Sequence, residues 1–512
     1  MKYTNALGIA VMTALTITGC SLKPQPISSE ERLKTMMIDQ SEMYSKQETI
    51  KAPLTFYEAL ARALKYNFDH RLTMMEAVLQ DTQLSVATIN MLPKLTANAG
   101  YAARDEQLFS ESQGLDGIRT LRQSTSQDKH RGMADLSFAW NVLDFGVSYF
   151  QAKQQADRVL IAQERRRKVV NNLIKEVLQA YWSASIAERL LPKLNPVLEQ
   201  AEKALAMSQT IEQDRLQPLV GVLEYQRSLL RIIDQLKKLK ADLSVAKPKL
   251  AGLINVPMAT SFTLANVEQT PEPPEFKVAI SELENIGLFY RPELREEMYQ
   301  ERISRNDAWK EMLKVLPGLT IPLSVNWDSN SFLLNQLWLE AGARTTFNLV
   351  NLIAAPRIWE SAQTQIEVAK TRRKALTVAA LVQINVGYQQ YLKALDSYRS
   401  SMALNQVDQR IFNAVSNTAQ NDAGSELERI HAATSALASE LEKEQSLSEV
   451  YAALGNIYSS MGLNPATGSI DHVDVHTLAA NLQKNMELWH KGYLPKVPNS
   501  PSTKQPLKMS AK

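Results

Sequence analysis

Four residues near the C-terminus could ligate a metal by type and spacing. Asp471, His472, Asp474 and His476 combine carboxylate and imidazole donors, and the two histidines stand four apart. No further ligand-like residue surrounds them, so the run is read as solvated chain after Pro465, with no metal and no cofactor assigned. Arg165-Arg166-Arg167-Lys168 is a basic run within a helical pattern, read as a solvated face. Cys20 is the single thiol, which excludes an intrachain disulfide and a cysteine-rich metal centre. The phosphate-loop, zinc-protease, nucleophile-elbow and dinucleotide patterns are absent. No acid, base and nucleophile form a constellation, so the expectation is a protein that is not an enzyme. Across 512 residues, 57 Lys and Arg balance 54 Asp and Glu, a net charge of +3. That balance gives no drive toward nucleic acid. With 45% hydrophobic residues the chain has folding composition, so function must be sought in architecture.

The elements begin with a leader. Lys2 and the apolar run Ala6 to Ile17 read as a secretory signal over residues 1–19. The run is too short to span a bilayer, which takes roughly 20 apolar residues. It ends in Ile17-Thr18-Gly19-Cys20, which resembles the lipobox of bacterial lipoproteins. The resemblance implies cleavage before Cys20 and acylation there. Ser21, where an Asp would favour inner-membrane retention, favours the outer membrane. Residues 20–50 are read as a polar linker behind this anchor. Beyond it no apolar stretch reaches the length of a spanning helix, so any crossing of a membrane must be as a β-barrel.

The rest of the chain is written twice. Leu64-Lys65-Tyr66 is echoed by Leu288-Phe289-Tyr290, and Leu92-Pro93-Lys94-Leu95-Thr96 by Leu316-Pro317-Gly318-Leu319-Thr320, both at the same offset. Further along, Asn141 matches Asn348, Arg165-Arg166 matches Arg372-Arg373, and Tyr181 matches Tyr388, at a second, shorter offset. The change falls between Tyr101 and Asp135, so copy one carries the longer loop there. Copy one spans 51–270 and copy two 271–465, separated by the proline-rich Thr270 to Glu275; residues 466–512 follow as a partly disordered tail. Each copy predicts a long opening helix, a Leu-Pro stop, two short alternating segments, and a long helical hairpin. In copy one the first arm runs from about Phe145 to near Gln213, a length of roughly 100 Å that suggests coiled-coil packing. Pro192 and Pro196 predict a bend in it.

The alternating segments fall at about 95–104, 133–142, 319–327 and 339–349. Each has the length of a tilted membrane strand, with one apolar and one polar face. Asp135, Ser137, Asn141, Thr320, Asn326, Glu340, Arg344 and Asn348 fall on the polar side and are candidate pore-lining residues. Tyr101, Trp140, Trp327 and Trp338 lie near segment ends, where aromatics meet the membrane–water interface.

This grammar resembles the TolC-like outer-membrane efflux proteins, here a lipoprotein member, over about residues 51–465. Leu54-Thr55-x-x-Glu58-Ala59-Leu60-x-x-Ala63-Leu64 is similar to the family's opening, and Leu92-Pro93-x-Leu95 to its entry into the first strand. Leu136 to Gly146 resembles its strand-to-helix run. The resemblance implies a mainly α chain whose four strands join those of two other copies. The homotrimer would carry a twelve-stranded barrel in the outer membrane of a Gram-negative bacterium, continuing into a periplasmic α-helical barrel. It further implies a passive duct joined by a periplasmic adaptor protein to an inner-membrane pump. Alignment places Arg215 and Asp422 at the periplasmic tips, where the family usually has glycine; they would be solvated turn charges or a gate pair. The rival reading is a periplasmic coiled-coil lipoprotein with a structural or adaptor role, whose alternating segments would stay in water.

Overall fold

The computed structural model describes residues 24–45, 47–111, 113, 115, 117–119, 122–213, 218–258, 260–265, 278–418, 423–466, 470 and 472–498. The leader, Cys20, Arg215, Asp422, Asp471 and the segment 499–512 lie outside them. The expected linker instead contains a helix, α1 (Ser29–Glu42), exposed along its length. Ser28 starts it by accepting the Glu31 N–H on its hydroxyl at 3.1 Å.

The opening helix of each copy is two helices. In copy one α2 (Phe56–Tyr66) and α3 (Phe68–Ile89) meet at Asn67, which closes the first and caps the second. Its side-chain oxygen accepts the N–H groups of Asp69 and His70 at 3.0 and 3.2 Å. In copy two α7 (Ile280–Tyr290) and α8 (Pro292–Leu313) meet at Arg291. There Pro292 at the first helical position pushes the residue before it out of the helical region. The Thr55-x-x-Glu58 motif is a cap: the Thr55 hydroxyl accepts the Glu58 N–H at 3.2 Å. Leu54, Ala59, Leu60, Ala63 and Leu64 are buried beneath it.

Strands β1 (Lys94–Ala103) and β2 (His130–Asn141) follow α3, and β3 (Gly318–Asp328), β4 (Leu337–Ala341) and β5 (Arg344–Thr346) follow α8. All pair antiparallel in the order β1-β2-β3-β4, with β5 also on β3, so the two hairpins form one sheet through β2 and β3. Out of the sheet rise α4 (Val142–Gln213, 72 residues) and α9 (Leu349–Thr418, 70 residues), each about 105 Å long. The helix continues through Pro192 and Pro196 rather than ending there. The chain returns through α5 (Leu219–Ser244) and α6 (Ala246–Leu253) in copy one, and through α10 (Ala423–Ser460) in copy two. Both returns end in a Schellman turn. Asn255 (φ 54°) and Gly462 (φ 71°), at equivalent points of the two copies, take the left-handed position. The Val256 and Leu463 N–H groups bond back to Ala251 and Tyr458 carbonyls at 2.9 and 3.0 Å.

The chain beyond Pro465 is not a solvated tail. Helix α11 (Val475–His490) buries Leu478, Leu482, Met486 and Trp489 and packs on α2. Asp474 caps it, accepting the Thr477 N–H at 2.9 Å, while His472 and His476 face solvent. Glu48 anchors the same end, accepting from Lys65 at 2.7 Å and from the Val475 N–H. The core has two large clusters, one joining α2, α4, α5, α6 and α11 with Ile430 and Leu441 of α10, the other joining α7, α9 and α10 to Leu178 and Trp182 of α4 and Trp489 of α11; a small third one joins Ala308 of α8 to Ala362 and Ile366 of α9. Each fully buried leucine in them, such as Leu60, Leu236 or Leu283, contributes roughly 1.5–3 kcal/mol. The basic run Arg165–Lys168 is a solvated face that also carries ion pairs: Arg165 and Lys168 are exposed. Arg165 pairs with Glu296 at 2.8 Å, Lys168 with Glu293 at 3.6 Å, and Arg166 donates to His70.

Candidate functional site

Register decides which side chains share a face of the sheet. Asp135 stands between Asn98 and Asn326, Ser137 between Thr96 and Ser324, and Ser324 also faces Glu340. Arg344 faces Thr320. Directly paired residues project to the same side. One face therefore gathers Asp135, Ser137, Thr320, Asn326, Glu340 and Arg344. Lys94, Thr96, Asn98 and Ser324, absent from the sequence candidates, join them. Asn98 donates to the Asp135 carboxylate at 2.9 Å. The signal for these four was the same alternation that identified the others.

The opposite face is continuous hydrocarbon. Leu95, Leu136, Phe138, Trp140, Ile321, Leu323, Val325, Trp327, Leu337 and Leu339 lie there, all exposed in the isolated chain. Contiguous exposed apolar surface of this extent marks a lipid or protein contact. Tyr101 and Trp327 sit toward the hairpin end, with Tyr101 stacked on His130 at 6.3 Å and the Trp327 ring over Gly132. Trp140 lies toward the helical end, opposite Ile321, a rise of about 20 Å along β3 from Trp327. Trp338 departs from the expectation. It faces Asn326 and so belongs to the polar face, between Leu337 and Leu339, which point the other way.

Asn141 and Asn348 have a second role. The Asn141 carboxamide oxygen accepts the Leu143 and Asp144 N–H groups at 3.0 and 3.2 Å, and the Asn348 oxygen accepts that of Val350 at 3.1 Å. Both cap the long helices, and register keeps Asn141 on the polar side, opposite Thr320. The fourth strand is shorter than 339–349 and interrupted at Gly342 and Ala343. Its register does not slip: Leu323 faces Ala341 and Thr320 faces Arg344. The gap falls opposite Pro322, which has no N–H to give, so only the Gly342 N–H to Pro322 carbonyl bond remains, at 3.1 Å.

At the hairpin end the two copies are tied together. Buried Asn330 donates to the Ser126 carbonyl at 2.9 Å and accepts the Asp128 N–H at 3.0 Å. Ser329 accepts the Gly132 N–H at 2.8 Å, and Arg131 pairs with Asp328 at 3.5 Å. The opposite edges are bare. Among the described residues β1 pairs only with β2, and β4 and β5 only with β3. The helices continuing those edges are bare as well. Leu72, Met75, Leu79 and Val86 of α3 and Ile353, Val368, Val378, Val382 and Val386 of α9 are exposed. No helix among the described residues is long and apolar enough to cross a membrane.

A sheet with one hydrocarbon face, two open edges and two very long helices leading away has structural counterparts. The outer-membrane channel of Campylobacter jejuni named CmeC superposes with a TM-score of 0.62 at 13% identity, covering 86% of this chain and 94% of that one. The fold is that of the TolC-like outer-membrane channels. The open-state MtrE outer-membrane channel of Neisseria gonorrhoeae matches at 0.59 and 15% identity, over 80% and 89%. The outer-membrane channel OprN matches at 0.59 and 15%, over 80% and 90%. By sequence, no family model and no curated protein matches the chain.

Proposed function

We propose that the chain is a lipoprotein of the TolC-like outer-membrane efflux family and one protomer of a homotrimeric export duct. The observation that carries this is the two-faced sheet with both edges unpaired. Unpaired backbone groups and a bare apolar face are incompatible with each other in water and in lipid, and closing the sheet on further copies removes both problems. Four strands are too few to close alone, since small barrels have about eight; three copies supply twelve. The bare flanks agree. β1 and α3 lie on one side of the protomer, and β4, β5 and α9 on the other. A head-to-tail ring brings one flank against the other at every junction.

In that ring the apolar face meets lipid between the levels of Trp327 and Trp140. Asp135, Ser137, Thr320, Asn326, Glu340 and Arg344 line water, with Trp338 among them. A mixed polar wall carrying both signs of charge passes varied solutes. The duct is passive and lowers no chemical barrier. Energy comes from an inner-membrane pump joined through a periplasmic adaptor, and acylated Cys20 holds the protomer to the outer membrane. A water-soluble coiled-coil lipoprotein would not leave Leu136, Phe138, Leu323 and Val325 exposed on one sheet face.

Planar-bilayer conductance tests the reading. The purified protein is expected to insert and give discrete conductance steps, and replacing Asp135 and Glu340 with Lys should move ion selectivity toward anions. Absence of steps from folded protein would overturn the duct.

A further inference from the structure

Away from the sheet, α2, α4, α10 and α11 enclose a cavity of about 470 Å³. Two of these helices come from copy one and α10 from copy two, with α11 following it. The walls are aromatic. Trp182 and Tyr451 stack at 5.0 Å with their planes 12° apart, and Tyr57 and Tyr458 continue the box. Glu487 stands at the rim, exposed, and His490 lies beside it.

The charge of this cavity is unbalanced. Burial raises the hydroxyls of Tyr57 and Tyr451 to about 12, so neither becomes an anion near neutrality. Burial pushes the His490 imidazole below its ordinary range, so it is neutral there too. Glu487 accepts one hydrogen bond, from Gln483 at 2.8 Å, and among the described residues no Lys or Arg pairs with it. An aromatic box therefore presents ring faces and, at its rim, one carboxylate that no cation pairs among the described residues. Ring quadrupoles attract cations, and the attraction grows as the site loses water. The volume lies in the range of small-molecule sites, roughly 300–1,000 Å³.

We propose that this cavity binds an amphipathic organic cation, a quaternary ammonium or phosphonium carrying apolar groups. The aromatic walls take the substituents, and Glu487 with the ring faces takes the charge. Anions are disfavoured because, among the described residues, no Lys or Arg lines the site. The site is separate from the polar sheet face and does not depend on the duct. Because its walls come from both copies, an occupant stabilises the junction between them.

Equilibrium dialysis of the full-length protein in non-ionic detergent, against a micelle blank, tests this. Tetraphenylphosphonium and tetraphenylborate have the same shape and opposite charge. The cation should be retained above the blank and the anion should not. Glu487→Gln, at an exposed position, should weaken cation retention about tenfold. Gly455→Leu should abolish it, because a side chain there grows into the cavity from a Cβ only 3.7 Å from Leu178. Equal retention of both ions, or cation retention unchanged by Glu487→Gln, would overturn the proposal.

Discussion

The two long helices are equivalent by sequence and unlike by environment. In copy one α4 packs against α2, α3, α5, α6, α8 and α10, and buries Val170, Leu173, Val177, Tyr181 and Ile186 along its middle. In copy two α9 touches α7, α8 and α10 and leaves Val368, Val378, Val382 and Val386 exposed. The same element is an interior helix in one copy and a flank in the other. A flank that repeats the apolar content of an interior helix is a surface awaiting a neighbour. In the proposed ring, this difference puts the junction between protomers on α9.

The comparison breaks most visibly when charge is put on each helix. Val177→Asp in α4 buries an unpaired carboxylate at a fully covered position and should unfold the protomer. Val382→Asp with Val386→Asp on α9 should leave circular dichroism and protomer melting nearly unchanged while abolishing assembly. A protomer unfolded by the α9 pair would erase the distinction.

The repeated Schellman turns sharpen it further. At Gly462 an added Cβ meets the Arg291 Cα at 2.6 Å and φ is +71°. Gly462→Ala should cost about 1–3 kcal/mol in denaturant unfolding. Its counterpart tolerates a side chain, since Asn255 donates to the Met43 carbonyl at 3.0 Å. Asn255→Gly should change stability by less than about 1 kcal/mol, relief of strain offsetting the lost bond. The helix caps come next. Asn141→Ala and Asn348→Ala should each cost about 1 kcal/mol in denaturant unfolding.

The smallest effect concerns the junction of the copies at α11. Folded His490 is held below its ordinary range by burial, so the unfolded chain binds the extra proton first. Stability should therefore be full above about pH 6.5 and decline as pH falls from there toward the folded value. His490→Gln should flatten that decline in melting curves taken across the window.

The sheet was legible because period-two alternation is a local property, and Asp135 or Asn326 declares its face through its immediate neighbours. Trp338 was not, because Leu337-Trp338-Leu339 is apolar throughout and only pairing with Asn326 fixes its side. Asn141 and Asn348 satisfy two patterns at once, the polar face of a strand and the cap of the helix that follows. Hydrogen-bond geometry reveals the caps, and pairing with Thr320 keeps Asn141 on the polar side as well. Helix α11 was misjudged for a different reason. The α2 residues that cover Leu482 lie far away in sequence. The basic run is exposed as expected, and only its partners Glu293 and Glu296, equally distant, were hidden from local composition.

The most direct test of the account is the native mass of the protein extracted from outer membranes in detergent. Three acylated chains in one particle are predicted, dissociating to single folded chains when Val382 and Val386 are replaced. A single lipidated chain, released from the membrane without detergent bound around its sheet, would contradict it.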